Sequence, residues 1–86
     1  MNFKQASERV KQLSEPPDNP TLLKLYSLYK QGLSGDVSSK PPGMINFRER
    51  AKWDAWKALA GMDSKTAQTR YIKLVEELLT KDQGKC

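Results

Sequence analysis

The stretch that decides the fold is YSLYKQGLSGDVSSKPPGMINFRERAKWDAW, residues 26–56. Both of its ends have helical patterns, and the segment between them is rich in glycine, proline and serine, which interrupt helices. A connector of about a dozen residues is long for a small bundle, and it lets the two flanking helices lie parallel. Tyr26, Tyr29 and Lys30 are spaced i, i+3 and i+4, so they share one helix face. The sequence therefore predicts an aromatic and cationic surface on the first of these helices.

The same stretch carries groups that could bind a nucleotide. An aromatic ring can stack on a base, a phenol hydroxyl can donate a hydrogen bond, and ammonium groups such as those of Lys30 and Lys52 bind phosphate. The alternative for the tyrosines is ordinary core packing, but a core stripe should not end in a lysine with no acid nearby in sequence. Of Trp53 and Trp56, we expect one to be buried and one to border a groove, since two large rings seldom fit a small core.

Helical periodicity predicts four helices, at about residues 3–14, 20–33, 47–60 and 64–80. Pro16 and Pro17 cannot continue the first helix, and Gly61 is expected to end the third. Each helix is preceded by a residue able to cap it: Asn2 (with Gln5 in a capping box), Asn19, Asn46 (with Glu49 at the capping-box distance), and Asp63 or Ser64.

The composition limits the function. The chain has 86 residues, the size of one domain, so residues 1–86 are predicted to form a single domain. Its 15 Lys and Arg residues exceed its 10 Asp and Glu residues, a net charge of +5 that favours an anionic partner. Histidine is absent and the one cysteine is Cys86, interpreted as a free thiol. The usual general bases and soft metal ligands are therefore missing, and we expect no enzyme, no metal site and no cofactor.

Two further features bear on location. A single cysteine at the end of the chain excludes an internal disulfide and fits a reducing cytosol. The apolar runs are only a few residues long, so no membrane span is predicted, and the first residues lack the apolar segment of a signal peptide. We therefore expect a cytoplasmic protein.

Four segments resemble the acyl-CoA-binding protein family: LYSLYKQGLSGD (25–36), KPPGMINF (40–47), AKWDAW (51–56) and YIKLVEEL (71–78). Their order and spacing match, so the resemblance covers nearly the whole chain. It implies an all-α, up-down-down-up four-helix bundle that holds one long-chain acyl-CoA as a monomeric intracellular carrier and pool former. It also implies transient membrane contact at most, and enzymes that use or produce acyl-CoA as possible partners.

The resemblance also implies roles for particular residues on the nucleotide side. Tyr29 would stack on the adenine. Lys30 and Lys52 would bind the ribose 3′-phosphate, with the Tyr26 hydroxyl as a further donor. Tyr71, from the last helix, would close this side of the site.

Other residues are assigned to the rest of the ligand. Lys11 would reach its polar part, and Leu22 and Leu23 would line the channel for the acyl chain. Ser27 and Leu28, from the same helix, complete the predicted site. The preferred chain length does not follow from these residues.

Two other functions remain open. Basic charge and aromatic residues also fit a small nucleic-acid-binding domain, although acids alternate with bases, as in Glu8–Lys11 and Glu49–Lys52. We therefore expect no nucleic-acid partner. The third possibility is a scaffold or secreted signalling peptide without a small ligand, because the family includes members described as peptide modulators.

Overall fold

The computed structural model describes residues 1–38, 40, 43 and 46–83. In these residues the chain forms no strand and four α-helices: α1 (Phe3–Arg9), α2 (Asn19–Ser34), α3 (Phe47–Lys57) and α4 (Ser64–Gln83). A short 3₁₀ segment, Val10–Gln12, continues α1. The predictions that concern Ser39, Pro41, Pro42 and Cys86 lie outside the described residues.

Three of the predicted helix starts are confirmed. The side chain of Asn2 accepts from the Gln5 backbone N–H at 2.8 Å, and the Asn2 N–H donates to Gln5 Oε1 at 2.9 Å, which completes the capping box. Asn46 accepts from the Glu49 N–H at 3.4 Å. One carboxylate oxygen of Asp63 accepts from two backbone N–H groups in the first turn of α4. These side chains supply hydrogen-bond acceptors to the backbone N–H groups of the first turn, which have no partner within the helix.

The predicted cap of α2 is wrong by one residue. Asp18, rather than Asn19, caps the helix, with its Oδ1 accepting from the Thr21 N–H at 2.9 Å. Hydrogen bonds from the side chain and backbone of Thr21 lower the pKa of the Asp18 carboxyl. Asn19 and Pro20 already belong to the first turn, where proline loses nothing by having no N–H.

Two helices end earlier than predicted, and the last helix continues to Gln83, three residues beyond its predicted end. The first helix tightens into the 3₁₀ segment and stops at Gln12, because Leu13 is extended with ψ 137° ahead of the proline pair. The third stops at Lys57, and the chain then turns through backbone hydrogen bonds from Leu59, Ala60 and Met62 that each reach back three residues. Gly61 has φ +91°, a conformation that glycine adopts without steric cost, so the predicted break is at the right residue but the helix ends earlier.

Contacts at the helix ends show that α2 and α3 run parallel, as the long connector predicts. Leu22 and Phe47, near the two N-termini, line the same groove. At the other end, the Trp56 indole N–H donates to the Gly35 carbonyl oxygen at 2.8 Å.

The remaining helices complete the up-down-down-up order. Gln68, near the start of α4, donates through Nε2 to the Gly32 carbonyl at the end of α2 at 2.8 Å, so α4 is antiparallel to α2. A Cβ at Gly32 would lie 2.8 Å from Gln68 Cγ, so glycine permits this close approach. The Ser14 N–H, just beyond the first helix, donates to Asp82 at 3.3 Å. The first helix is therefore parallel to α4.

The core is formed by α1, α2 and α4. Its buried apolar residues are Ala6, Leu25, Leu28, Ala67, Tyr71 and Val75. None of the α3 residues 47–57 is buried, and this helix packs mainly on α2. The expectation that one tryptophan is buried is therefore wrong: Trp53 and Trp56 are both half-buried, because a helix that packs on one neighbour cannot enclose a ring.

Candidate functional site

A groove of about 610 Å³ lies between the first helix, α2 and α4. Five predicted residues line it: Lys11, Leu22, Tyr26, Tyr29 and Tyr71. They come from three separate elements, and only Tyr26, Tyr29 and Leu22 share a helix. The tertiary structure therefore brings together the residues expected to contact both the polar and the apolar parts of a ligand.

Three aromatic rings pack together beside this groove. The Phe3 and Tyr29 rings are stacked, with centroids 5.3 Å apart and planes at 24°. The Tyr71 ring meets the Phe3 ring edge-on, with centroids 5.3 Å apart. It is tilted against the Tyr29 ring, with centroids 5.8 Å apart. Phe3 thus covers one face of Tyr29, so a planar ligand group could stack only on the opposite face.

Burial governs the ionisation of Tyr71. The residue is only 4% exposed. Desolvation, with a smaller contribution from Tyr29, raises the pKa of its hydroxyl. The phenol therefore stays protonated at neutral pH and can act as a hydrogen-bond donor.

Two ammonium groups converge on the Tyr26 ring. Lys30 Nζ lies 5.9 Å from the ring centre and Lys52 Nζ lies 5.4 Å from it. Lys30 Nζ is also 5.8 Å from the centre of the Trp56 ring. The structure therefore brings Lys30 of α2 and Lys52 of α3 to the same tyrosine ring. Two cations next to a phenol form a site of positive potential suited to phosphate.

An acid also contacts this cationic site. Glu49 Oε1 lies 3.7 Å from Lys52 Nζ, and both side chains are about half exposed (51% and 42%). An exposed pair of this kind is weak, so a ligand phosphate can replace the carboxylate.

A second groove, of about 500 Å³, lies between α2 and α3. Leu22, Leu23 and Lys52 line it together with Phe47 and Ala51. Leu22 borders both grooves and is 43% exposed. Leu22 therefore connects the groove that contains Tyr26 with the groove between α2 and α3.

The structure does not bring Ser27 and Leu28 to either groove. Both are buried, and both line a separate depression of about 380 Å³ with Leu59 and Met62. The Ser27 hydroxyl donates to the Lys24 carbonyl at 3.0 Å. Successive residues of an α-helix project about 100° apart, so positions 27 and 28 face away from Tyr26 and Tyr29.

Several groove residues were not predicted. In the first groove they are Ser7, Val10, Leu13, Pro16, Pro17 and Leu25, and in the second they are Asn19, Phe47, Arg48 and Ala51. Val10 follows Ser7 by three positions and precedes Leu13 by three, a periodicity that could have indicated this face of the first helix. The prolines could not be found in this way, because their position depends on the path of the loop.

Two features are absent from the described part of the chain. None of its helices is long and apolar enough to cross a membrane. It also contains no group of three or more His, Cys, Asp or Glu side chains placed to hold a metal ion.

The bundle and its paired grooves define a class: small helical proteins with a surface site for an amphipathic anion. Comparison with known proteins narrows this class. The sequence model of the family described as "Acyl CoA binding protein" matches residues 1–75. The acyl-CoA-binding protein of Brassica napus is 47% identical over 78 residues, covering 91% of this chain and 85% of that protein.

Further comparisons agree. Acyl-CoA-binding protein homolog 1 of Caenorhabditis elegans is 44% identical over 81 residues, covering 94% of each chain. The crystal structure of Oryza sativa Acyl-CoA-Binding Protein 2 superposes with a TM-score of 0.92 at 38% identity, covering 98% of this chain and 93% of that one. The chain belongs to the acyl-CoA-binding protein family, and its all-α fold is that of the family's four-helix bundles.

Proposed function

We propose that the protein binds long-chain fatty acyl-CoA esters and acts as an intracellular acyl-CoA carrier and pool former. The observation that carries the proposal is the Tyr26 ring with two ammonium groups within 6 Å of its centre, next to Leu22 and the apolar grooves. Coenzyme A esters combine an aromatic base and phosphates with an apolar chain, so one end of the ligand matches each part of this surface.

The positions of the side chains support a set of nucleotide contacts. Lys30 and Lys52, whose ammonium groups both lie within 6 Å of the Tyr26 ring centre, bind the ribose 3′-phosphate, and the Tyr26 hydroxyl donates a further hydrogen bond. The adenine stacks on the face of Tyr29 opposite Phe3. Tyr71 closes this end of the site, and Lys11 reaches the remaining polar part of the ligand from across the groove.

The acyl chain lies along Leu22 and Leu23 in the second groove. Both leucines line this groove with Phe47 and Ala51, and their apolar surface is covered when the chain binds. We leave Ser27 and Leu28 out of the proposed contacts, since their side chains are buried on another face of α2.

The remaining features of the proposal follow from the family and the composition. Residues 1–86 act as a single acyl-CoA-binding domain, monomeric and cytoplasmic, without catalytic activity, cofactor or nucleic-acid partner. Enzymes that produce or use acyl-CoA exchange the ligand with it.

Lys52→Ala is expected to weaken acyl-CoA binding by about 1.5 kcal/mol, because an ammonium–phosphate contact is lost. Glu49→Gln is expected to strengthen binding severalfold, since Lys52 then has no carboxylate to exchange for the phosphate. Titration calorimetry measures both effects. Lys24→Ala is the matched control, because this exposed lysine of α2 borders the depression on the other side. Equal affinities of the Lys52 and Lys24 variants for acyl-CoA would show that Lys52 does not contact the ligand.

Tyr29→Ala is expected to weaken acyl-CoA binding by about 1–3 kcal/mol through loss of base stacking. Tyr29→Phe should bind almost as well as the wild type, because it keeps the ring. The Phe3 ring also packs on Tyr29, so thermal unfolding of each variant must accompany the calorimetry. If the phenylalanine variant binds as poorly as the alanine variant, the hydroxyl makes the contact and the stacking assignment is wrong.

A further inference from the structure

α3 presents an outward surface that the proposed ligand contacts do not use in full. Phe47, Arg50, Trp53 and Lys57 recur at intervals of three and four residues, so they lie along one side of the helix. We call these four residues the outer face of α3. Phe47 is 81% exposed, the highest value among the large apolar residues that the structure describes. Such an exposed ring at a helix start is unfavourable in water and suits an apolar contact.

Cations surround the aromatic surface of this face. The Arg50 guanidinium lies 5.5 Å and Lys57 Nζ lies 5.0 Å from the centre of the Trp53 ring. Asp54 pairs with Arg50 at 3.2 Å and offsets part of the charge. The helix as a whole stays positive, because its basic residues (Arg48, Arg50, Lys52, Lys57) outnumber its acids (Glu49, Asp54) by two.

We propose that the outer face of α3 docks on anionic phospholipid bilayers. Aromatic side chains favour the boundary between water and lipid, and each lysine or arginine near an anionic leaflet adds electrostatic attraction. Phe47 inserts among the lipids, while Arg50 and Lys57 stay at the level of the headgroups, beside the Trp53 ring.

The geometry favours a bilayer over an acidic protein. α3 has 11 residues, so it is only about 16 Å long, which is short for the roughly 800 Å² that each partner buries in a stable protein interface. A protein partner would also need a fitted pocket for Phe47. Lipid headgroups rearrange around a protruding ring, so a short convex face is sufficient.

Docking would also affect how an acyl chain enters the second groove. This consequence rests on the proposed function. Phe47 also lines the second groove with Leu22 and Leu23, so the docked protein holds the mouth of this groove against the lipid. An acyl chain could then move between the bilayer and the groove without crossing water.

The test is co-sedimentation of the full chain with vesicles of phosphatidylcholine alone or with about 30 mol% phosphatidylserine. The wild type should bind the anionic vesicles and release them at high salt, since screening weakens the attraction. Phe47→Ser should lower the partition coefficient about tenfold. The control Leu33→Ser, at an α2 residue that is 59% exposed, should change it less than about twofold.

The charge variants separate docking from the general attraction of a basic protein. Arg50→Gln with Lys57→Gln should lower binding to anionic vesicles about tenfold and leave the affinity for acyl-CoA in solution unchanged. Lys65→Gln with Lys73→Gln, the same charge change at exposed positions of α4, should have little effect. The proposal is overturned if the two pairs of charge variants bind anionic vesicles equally well, or if Phe47→Ser and Leu33→Ser lower the partition coefficient equally. It is also overturned if the wild type does not bind anionic vesicles. The vesicle result does not depend on the calorimetric test of acyl-CoA binding.

Discussion

A long-chain acyl-CoA is expected to bind at least about a thousandfold more tightly than free coenzyme A. Free coenzyme A keeps the contacts to Tyr26, Lys30 and Lys52 but has no chain to cover Leu22 and Leu23. Each buried methylene contributes up to about 0.8 kcal/mol, so roughly sixteen carbons could contribute on the order of 10 kcal/mol before the costs of ordering the ligand are subtracted. Calorimetry with free coenzyme A and with short, medium and long esters measures the series.

The shape of this series is the sharper test. Affinity should rise with each added methylene and then level off, because the second groove encloses only about 500 Å³. Leu23→Ala should reduce the gain for long chains and leave free coenzyme A unaffected, since Leu23 lies in the second groove and not in the first. A flat series would contradict the carrier proposal and leave a nucleotide-binding module in its place.

Gln31→Glu is expected to lower the free energy of unfolding by about 3 kcal/mol at neutral pH, because it places a charge in the interior without a partner. Gln31 has no exposed surface, and its Nε2 donates to Asp36 Oδ1 and to the Met62 carbonyl, both at 2.8 Å. The introduced carboxylate would face two acceptors instead. Urea denaturation of wild type and variant measures the loss.

The pH dependence identifies the cause. Burial and the nearby Asp36 carboxylate should raise the pKa of the introduced acid, so the loss should be largest above that pKa and shrink as the pH falls through it. Asp36 itself behaves in the opposite way. Hydrogen bonds from the Gly61 backbone and then the Gln31 side chain lower its pKa, so its contribution is present above its ordinary value of 3.8 and is lost on acidification.

A matched substitution completes the experiment. Gln12→Glu makes the same change at an exposed position of the 3₁₀ segment and should alter stability by less than about 0.5 kcal/mol. A loss at Gln31 that is as small as the loss at Gln12, or that does not vary with pH, would contradict the role assigned to the buried amide.

Features that depend on neighbouring residues could be predicted from the sequence. The capping box of Asn2 and Gln5 and the cap at Asn46 need only the first turn of their own helices. Tyr26, Tyr29 and Lys30 share a face because helical spacing requires it. The family segments, with their order and spacing, implied the bundle, and the resemblance implied that Lys11, Lys52 and Tyr71 lie on the same site as that face.

Only the tertiary structure decided what meets across helices. Phe3 covers one face of Tyr29, because α1 packs on α4 and brings this ring to α2. Lys52 lies over the Tyr26 ring, because α3 packs on α2. The packing also leaves both tryptophans half-buried and turns Ser27 and Leu28 away from the grooves. Local sequence determines which side chains project from the same face of a helix. Which face meets solvent or ligand depends on how the other helices pack against it, and this packing is a property of the whole chain.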